Sequence, residues 1–224
     1  MPNSDASLHL YRRAIVADSD DSLSVIAQLI APGQTILDLG MGTGDLGQLL
    51  WQRDSIVVDG VTLNQAEADI ARAWYRQAVV ADLDRDSLGD IFAGQHYDCI
   101  VCADVLEHLN APQDLLAQCK ALLNPGGRLI TSGPNAGYCG LVAELMQGDF
   151  RYRQEGLLDK THLRFFTRKS LQRFFDEQGW VTQSVQTIQR NLLASEFRVA
   201  FDSLPPAVAR HLLATRDALT YQFI

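Results

Sequence analysis

The chain has 224 residues, 47% hydrophobic and 21% charged, with a formal net charge of -8. That length suits one domain with a sizeable core, and the acidic balance excludes broad binding to DNA or RNA, which needs a basic surface to displace counterions. No apolar run reaches the length of a membrane span, so membrane insertion is not expected. The start, "MPNSDASLHLYRRAI", lacks a signal peptide's basic end and apolar stretch, and the four cysteines suit a reducing compartment, so the expected location is cytoplasmic.

The chain reads as one domain over residues 1–224, opened by a helical segment at about 5–31. "QTILDLG" is a buried strand and residues 45–53 a helix. "SIVVDGV" is the second strand, with a helix at 65–77, and "AVVAD" is the third strand. "YDCIVCAD" is the fourth strand, followed by a helix at 112–123, a turn at "NPGG" and a fifth strand, "GRLITSGP". Such alternation implies an α/β fold, a parallel sheet with helices on both faces. Its ligands bind at the carboxyl ends of the strands.

Residues 135–164 have mixed character without a long period. In "TRKSLQRFFDEQGW", Thr167 is a plausible N-cap, Leu171, Phe174 and Phe175 form one apolar face, and Gly179 is a stop. "WVTQSVQTI" alternates like a strand, a short helix lies near 207–213, and "ALTYQFI" is a last strand. The sum is a seven-stranded, mostly parallel sheet whose last strand is antiparallel. Cys99 and Cys102 form a CxxC on a strand, where residues three apart face opposite ways, so they read as packing residues.

"ILDLGMGTG" places Asp38 before three alternating glycines, Gly40, Gly42 and Gly44. Glycines let a ligand approach the backbone, and the following helix start favours an anionic group. A dinucleotide loop has different glycine spacing, and a bare turn has no need of three alternating glycines.

In this segment and in "YDCIVCADVLEHLNAPQDLLAQCKALLNPGGRLITSGPN" the chain resembles the class I S-adenosylmethionine-dependent methyltransferases, over nearly its whole length. The tail "GLLDKTHLRFFT" also resembles a subgroup linked to glycan and polysaccharide pathways. The resemblance implies a Rossmann-like fold and S-adenosyl-L-methionine as cofactor. It implies that Gly40, Met41, Gly42 and Gly44 contact the methionine part and that Asp38 orients its amino group. Thr62 and Leu63 stand where the family's second strand usually ends in an acid that holds the ribose, so Thr62 and a neighbour such as Asn64 share that work, or affinity falls. Asp82 matches the acid that receives the adenine amino group, with Leu83 beside the ring. Cys102, Ala103 and Asp104 would lie beside the sulfonium.

Methyl transfer to a hydroxyl needs aligned atoms and a proton acceptor, and histidine is the natural base near neutral pH. His108 in "LEHL" follows the fourth strand, and His162 in "DKTHLRFF" belongs to an insertion at about 135–166 expected to cover the site. Both are candidate catalytic residues, each with a structural alternative. Glu107 pairs with either histidine or caps the helix. Asn135, Tyr138 and Arg164 are placed to contact the acceptor. Seven cations from Arg151 to Arg173, interleaved with Phe150, Tyr152, Phe165 and Phe166, suit an anionic acceptor or the charged outer face of a helix. No metal site is expected, because no cluster has ligand spacing along the sequence.

The function expected is methylation of a small-molecule or glycan-like acceptor, most of all at oxygen. The alternatives are a non-catalytic S-adenosylmethionine-binding protein and a nicotinamide-dependent oxidoreductase.

Overall fold

The computed structural model describes residues 21–51, 53, 55–197 and 203–224. The first part of the expected N-terminal helix lies outside them. The helices are α1 (Ser22–Leu29), α2 (Asp45–Trp51), α3 (Gln65–Ala71), α4 (Leu88–Ile91), α5 (Pro112–Leu122), α6 (Cys139–Met146), α7 (Arg168–Glu177) and α8 (Pro206–Ala214). The strands are β1 (Thr35–Leu39), β2 (Val57–Thr62), β3 (Gln77–Val80), β4 (Tyr97–Ala103), β5 (Leu123–Pro134), β6 (Thr187–Gln189) and β7 (Thr220–Phe223).

The sheet order is β3-β2-β1-β4-β5-β7-β6. β1 to β5 pair in parallel, and β7 runs antiparallel to both its neighbours. The central strands are buried on both faces, which is why they read as nearly continuous apolar runs. Ile36, Cys99 and Val101 pack on one face with α1, α2 and α3, while Leu37, Leu39 and Cys102 pack on the other with α5. The two cysteines of the CxxC therefore sit in different cores, as strand geometry requires. Between β1 and β4 the strand order reverses, which opens a crevice at their carboxyl ends.

Four local expectations change. The helix from Gln65 stops at Ala71, because Gln77 already pairs with Asp59 as the first residue of β3. "NPGG" is a bulge within β5: Tyr97 pairs with Leu123 and Cys99 with Arg128, so residues 124–127 loop out opposite Asp98. Asp98 fastens that bulge by accepting from Asn124 Nδ2 at 2.8 Å and from the Thr35 amide at 2.9 Å. The alternating run at 180–188 yields only β6, an edge strand paired with β7 alone, and Val181 is 87% exposed.

The fourth change concerns the insertion, which has a core of its own. Tyr138, Leu141, Leu157, Leu158, Phe197 and Tyr221 cluster there, with α6 as one wall. Thr167 caps α7 in a capping box with Ser170, and Gly179 follows the helix with φ +68°.

Candidate functional site

The glycine loop leaves β1 and folds over the end of β2. The Gly40 and Met41 amides both donate to the Val61 carbonyl at 2.9 Å, and the Gly44 amide closes the turn onto the Met41 carbonyl. Tyr75, which the sequence places in a helix, turns inward beneath this loop. A Cβ on Gly47 would stand 2.2 Å from its ring, and one on Gly60 2.7 Å, so these glycines make its space. Their occurrence on two facing elements was the only sequence signal for Tyr75.

The Tyr75 hydroxyl donates to Asp38 Oδ2 at 2.5 Å and accepts from the Gly47 amide at 3.1 Å. Burial pushes the Asp38 carboxyl up to about 7, although the Tyr75 bond opposes that rise. Burial and then Asp38 raise the Tyr75 phenol well above its ordinary value.

Two cofactor expectations are corrected. Met41 is 6% exposed, and its side chain packs in the core over Gly60 with Tyr75, so the thioether does not line the crevice. Cys102 is fully buried, with its thiol near Cys119 beneath α5, which leaves only its backbone for a ligand.

Thr62 is buried and donates to the Glu67 carboxylate, which comes from the first turn of α3. A carboxylate thus stands beside the end of β2, contributed from five residues on. Asn64, the neighbour expected to help, instead caps α3 by accepting from the Ala66 amide. Leu63 is 73% exposed at the strand's end. Asp82 accepts from the Asp84 amide at 3.0 Å and stands 3.4 Å from Arg85, and Leu83 packs on the core beside it. Burial opposes the ionisation of Asp84, but the Asn110 and Ala111 amides hold its carboxyl below the usual range. Asp104, with φ +56°, accepts from Ser132 Oγ at 2.9 Å and Gln222 Nε2 at 3.0 Å.

Asn135 and Tyr138 do not line an opening. Asn135 is 1% exposed; its amide donates to the Thr220 carbonyl at 2.8 Å and accepts from Gly137, tying β5 to β7. Tyr138 is fully buried and donates to the Arg190 carbonyl at 3.0 Å. Arg164 is exposed, with its guanidinium on the Asn110 carbonyl.

The insertion reaches the turn after β4 through its backbone. The Leu163 and Arg164 amides donate to the Glu107 carbonyl at 2.7 and 3.1 Å, which sets His162 against His108 with ring centroids 4.8 Å apart. One donor atom from each of Glu107, His108 and His162 lies within 4.8 Å of the others. The fold therefore gathers three potential ligands that sequence spacing keeps apart. Burial, then the neighbouring His162, lowers the His108 pKa. From His162 a line of rings leads outward: Phe165 at 6.3 Å, Phe150 at 5.8 Å from Phe165, and Tyr152 at 5.4 Å from Phe150. Phe150 and Tyr152 are 39% and 55% exposed.

The cation cluster is partly neutralised within the fold. Arg153 pairs with Glu144, and Arg168 pairs with Asp217 through two 2.6 Å bonds. Lys169 and Arg173 line a groove along α7 with Arg216, so they serve a different surface from the histidines.

A methyltransferase domain family matches residues 9–185. The chain is 26% identical over 187 residues to the ubiquinone biosynthesis O-methyltransferase of Coxiella burnetii, covering 78% of this chain and 75% of that protein. It is 31% identical over 108 residues to the protein of that name from Acinetobacter baylyi, covering 46% and 44%. A SAM-dependent methyltransferase structure from Archaeoglobus fulgidus superposes with a TM-score of 0.62 at 14% identity, covering 90% and 92% of the two chains. One from Aquifex aeolicus gives 0.53 at 12%, covering 75% and 84%. These two likenesses concern the fold. The family match spans most of the chain: it belongs to the methyltransferase domain family and is an enzyme that uses S-adenosylmethionine.

Proposed function

We propose that the enzyme methylates a hydroxyl on a small, largely apolar or aromatic molecule. The observation that carries this reading is the line of rings from His108 and His162 to exposed Tyr152. An apolar acceptor would lie along those rings and present its hydroxyl to the histidines, one of which takes the proton. The relatives' name, O-methyltransferase, agrees with oxygen as the acceptor atom. A glycan-like or anionic acceptor is the finer alternative, because sugar faces also stack on rings and Arg151 and Lys160 lie in the same insertion. In either case the segment at 135–166 acts as the substrate cover.

The residues at the crevice fit the cofactor. A Cβ at Gly42 would meet nothing within 4 Å, so the loop leaves room for a ligand there. We assign the methionine part to the backbone of Gly40, Gly42 and Gly44 with Asp38 on its amino group. The ribose goes to Thr62 and Glu67, and the adenine to Asp82, Leu63 and Leu83. The bound cofactor supplies an activated methyl group, and the chain aligns the acceptor oxygen with it. Among the described residues no helix is long and apolar enough to cross a membrane, and all four cysteines are free and buried. We place the enzyme in the cytoplasm on that basis.

The test is calorimetric titration with S-adenosylhomocysteine against NAD, then methyl transfer to a panel of phenols, alcohols, sugars and phosphorylated sugars. Transfer to phenols ahead of sugars is the expected outcome. Tight S-adenosylhomocysteine binding with no transfer to any hydroxyl would return the chain to a non-catalytic binding protein. A second expected result concerns Glu67. Glu67→Gln loses a charge-assisted acceptor and weakens S-adenosylhomocysteine binding by roughly 1.5–3 kcal/mol. An unchanged Kd in that titration would remove Glu67 from the ribose.

A further inference from the structure

We propose that Glu107, His108 and His162 bind one divalent transition-metal ion at the carboxyl end of β4. Two imidazoles and one carboxylate suit Zn2+, Mn2+, Fe2+, Co2+ or Ni2+ and leave positions open for other ligands. Their donor atoms lie within 4.8 Å of one another. Around one ion with bonds of about 2.0–2.2 Å they would stand closer, so small side-chain rotations complete the site.

The outer contacts orient both rings. His162 Nδ1 lies 3.1 Å from the Leu157 carbonyl, which can only accept, so Nδ1 carries the proton and Nε2 keeps a lone pair. Thr161 Oγ1 donates its only proton to Asp159 Oδ1 at 2.7 Å, so at 3.0 Å from His108 Nδ1 it must accept. His108 therefore also carries its proton on Nδ1 and leaves Nε2 to a ligand. A histidine that holds a metal almost always donates its other ring N–H to a carbonyl or a carboxylate network. Here one ring has each kind of partner. Two histidines in edge-on contact only for packing have no need of matched tautomers.

The ligands also come from two elements that the fold clamps together. Glu107 and His108 follow β4, and His162 is delivered by the Leu163 and Arg164 amides on the Glu107 carbonyl. A cation there would lower the pKa of a hydroxyl that coordinates it; His108 and His162 would then act as its ligands in place of the side-chain base proposed above, and the acceptor's proton would pass to water. This deepens the methyl-transfer reading, but the metal site is tested without any acceptor.

The experiment starts from full-length protein stripped with a chelator. It is titrated with Co2+, followed by visible absorption, and with Zn2+, followed by calorimetry. One equivalent should bind, with a saturable Co2+ band. His162→Gln and Glu107→Gln should each weaken binding at least tenfold while S-adenosylhomocysteine still binds. Thr161→Val should weaken it by about 10–100-fold through the lost outer contact. Absence of a saturable band in the wild-type protein, or equal affinity in the His162 and Glu107 variants, overturns the site. Should a buried position not tolerate glutamine, His108→Gln at the more exposed ring decides by the same readout. S-adenosylhomocysteine binding and transfer by the stripped protein report separately on the methyltransferase reading.

Discussion

Gly42→Val is expected to abolish S-adenosylhomocysteine binding in a folded protein, whereas Gly44→Val is expected to unfold it. The two glycines are two residues apart in one loop and both have positive φ, +52° and +93°. Their surroundings differ. A Cβ at Gly42 meets no atom of the chain within 4 Å. Valine there meets only the left-handed backbone penalty, about 1–2 kcal/mol, which a domain of ordinary stability survives. Its methyl groups then fill the space assigned to the cofactor, and a loss of at least 100-fold in affinity follows. At Gly44 a Cβ would stand 3.0 Å from the Cα and Cβ of Ala71 and 3.1 Å from the Tyr75 ring. The Ala71 backbone belongs to α3 and cannot swing aside as a side chain tip can. Strain and overpacking together come to roughly 2–6 kcal/mol. Thermal melts of both variants and calorimetry on the folded one check the pair. Wild-type affinity in Gly42→Val would move the cofactor off the loop.

That contrast shows where the sequence was legible. The parallel core could be read because strands buried on both faces are apolar throughout and glycines mark their turns. The loop could be read as a ligand site for the same local reasons. What governs the loop from beneath could not. Tyr75 looks helical in sequence, and only the packing of α3 against α2 and β2 draws it under Gly47 and Gly60. Thr62 could be identified as a departure, but the carboxylate that Glu67 sets beside it depends on how α3 leaves the sheet. Asn135 and Tyr138 stood at the right place in the chain, yet Asn135 is spent tying β5 to β7 and Tyr138 lies in the insertion's own core. The cluster of Glu107, His108 and His162 joins residues 55 positions apart, and no spacing rule reaches across an insertion.

Asp38→Asn is expected to stabilise the protein without its cofactor at pH 8 and to weaken its binding. The carboxyl has a folded-state pKa of about 7 against an ordinary 3.8, the cause being burial first, with the Tyr75 bond opposing. A raised pKa means that the folded state holds the proton more tightly than the unfolded chain. The stability it contributes is therefore complete below pH 4 and is lost as pH rises through about 7. Over that span the loss is about 4 kcal/mol. Asparagine is neutral throughout, so the variant should match the wild type at pH 4 and exceed it at pH 8, by about 8–16 °C in melting temperature. An amino group held beside Asp38 reverses the preference, because it favours the carboxylate. Wild-type binding of S-adenosylhomocysteine between pH 6 and 7 should then release protons, seen as a buffer-dependent calorimetric enthalpy. The variant should show no such release at this site and should bind about 10–100-fold more weakly, having lost a charge-assisted bond. Equal pH-stability curves for the two proteins would mean that the Tyr75 hydroxyl, itself held by the Gly47 amide, already satisfies a buried carboxylate. If the curves diverge, the fold carries an acid at β1 that is useful only when a cation lies beside it, and stability without the cofactor has been given up for recognition of the methyl donor.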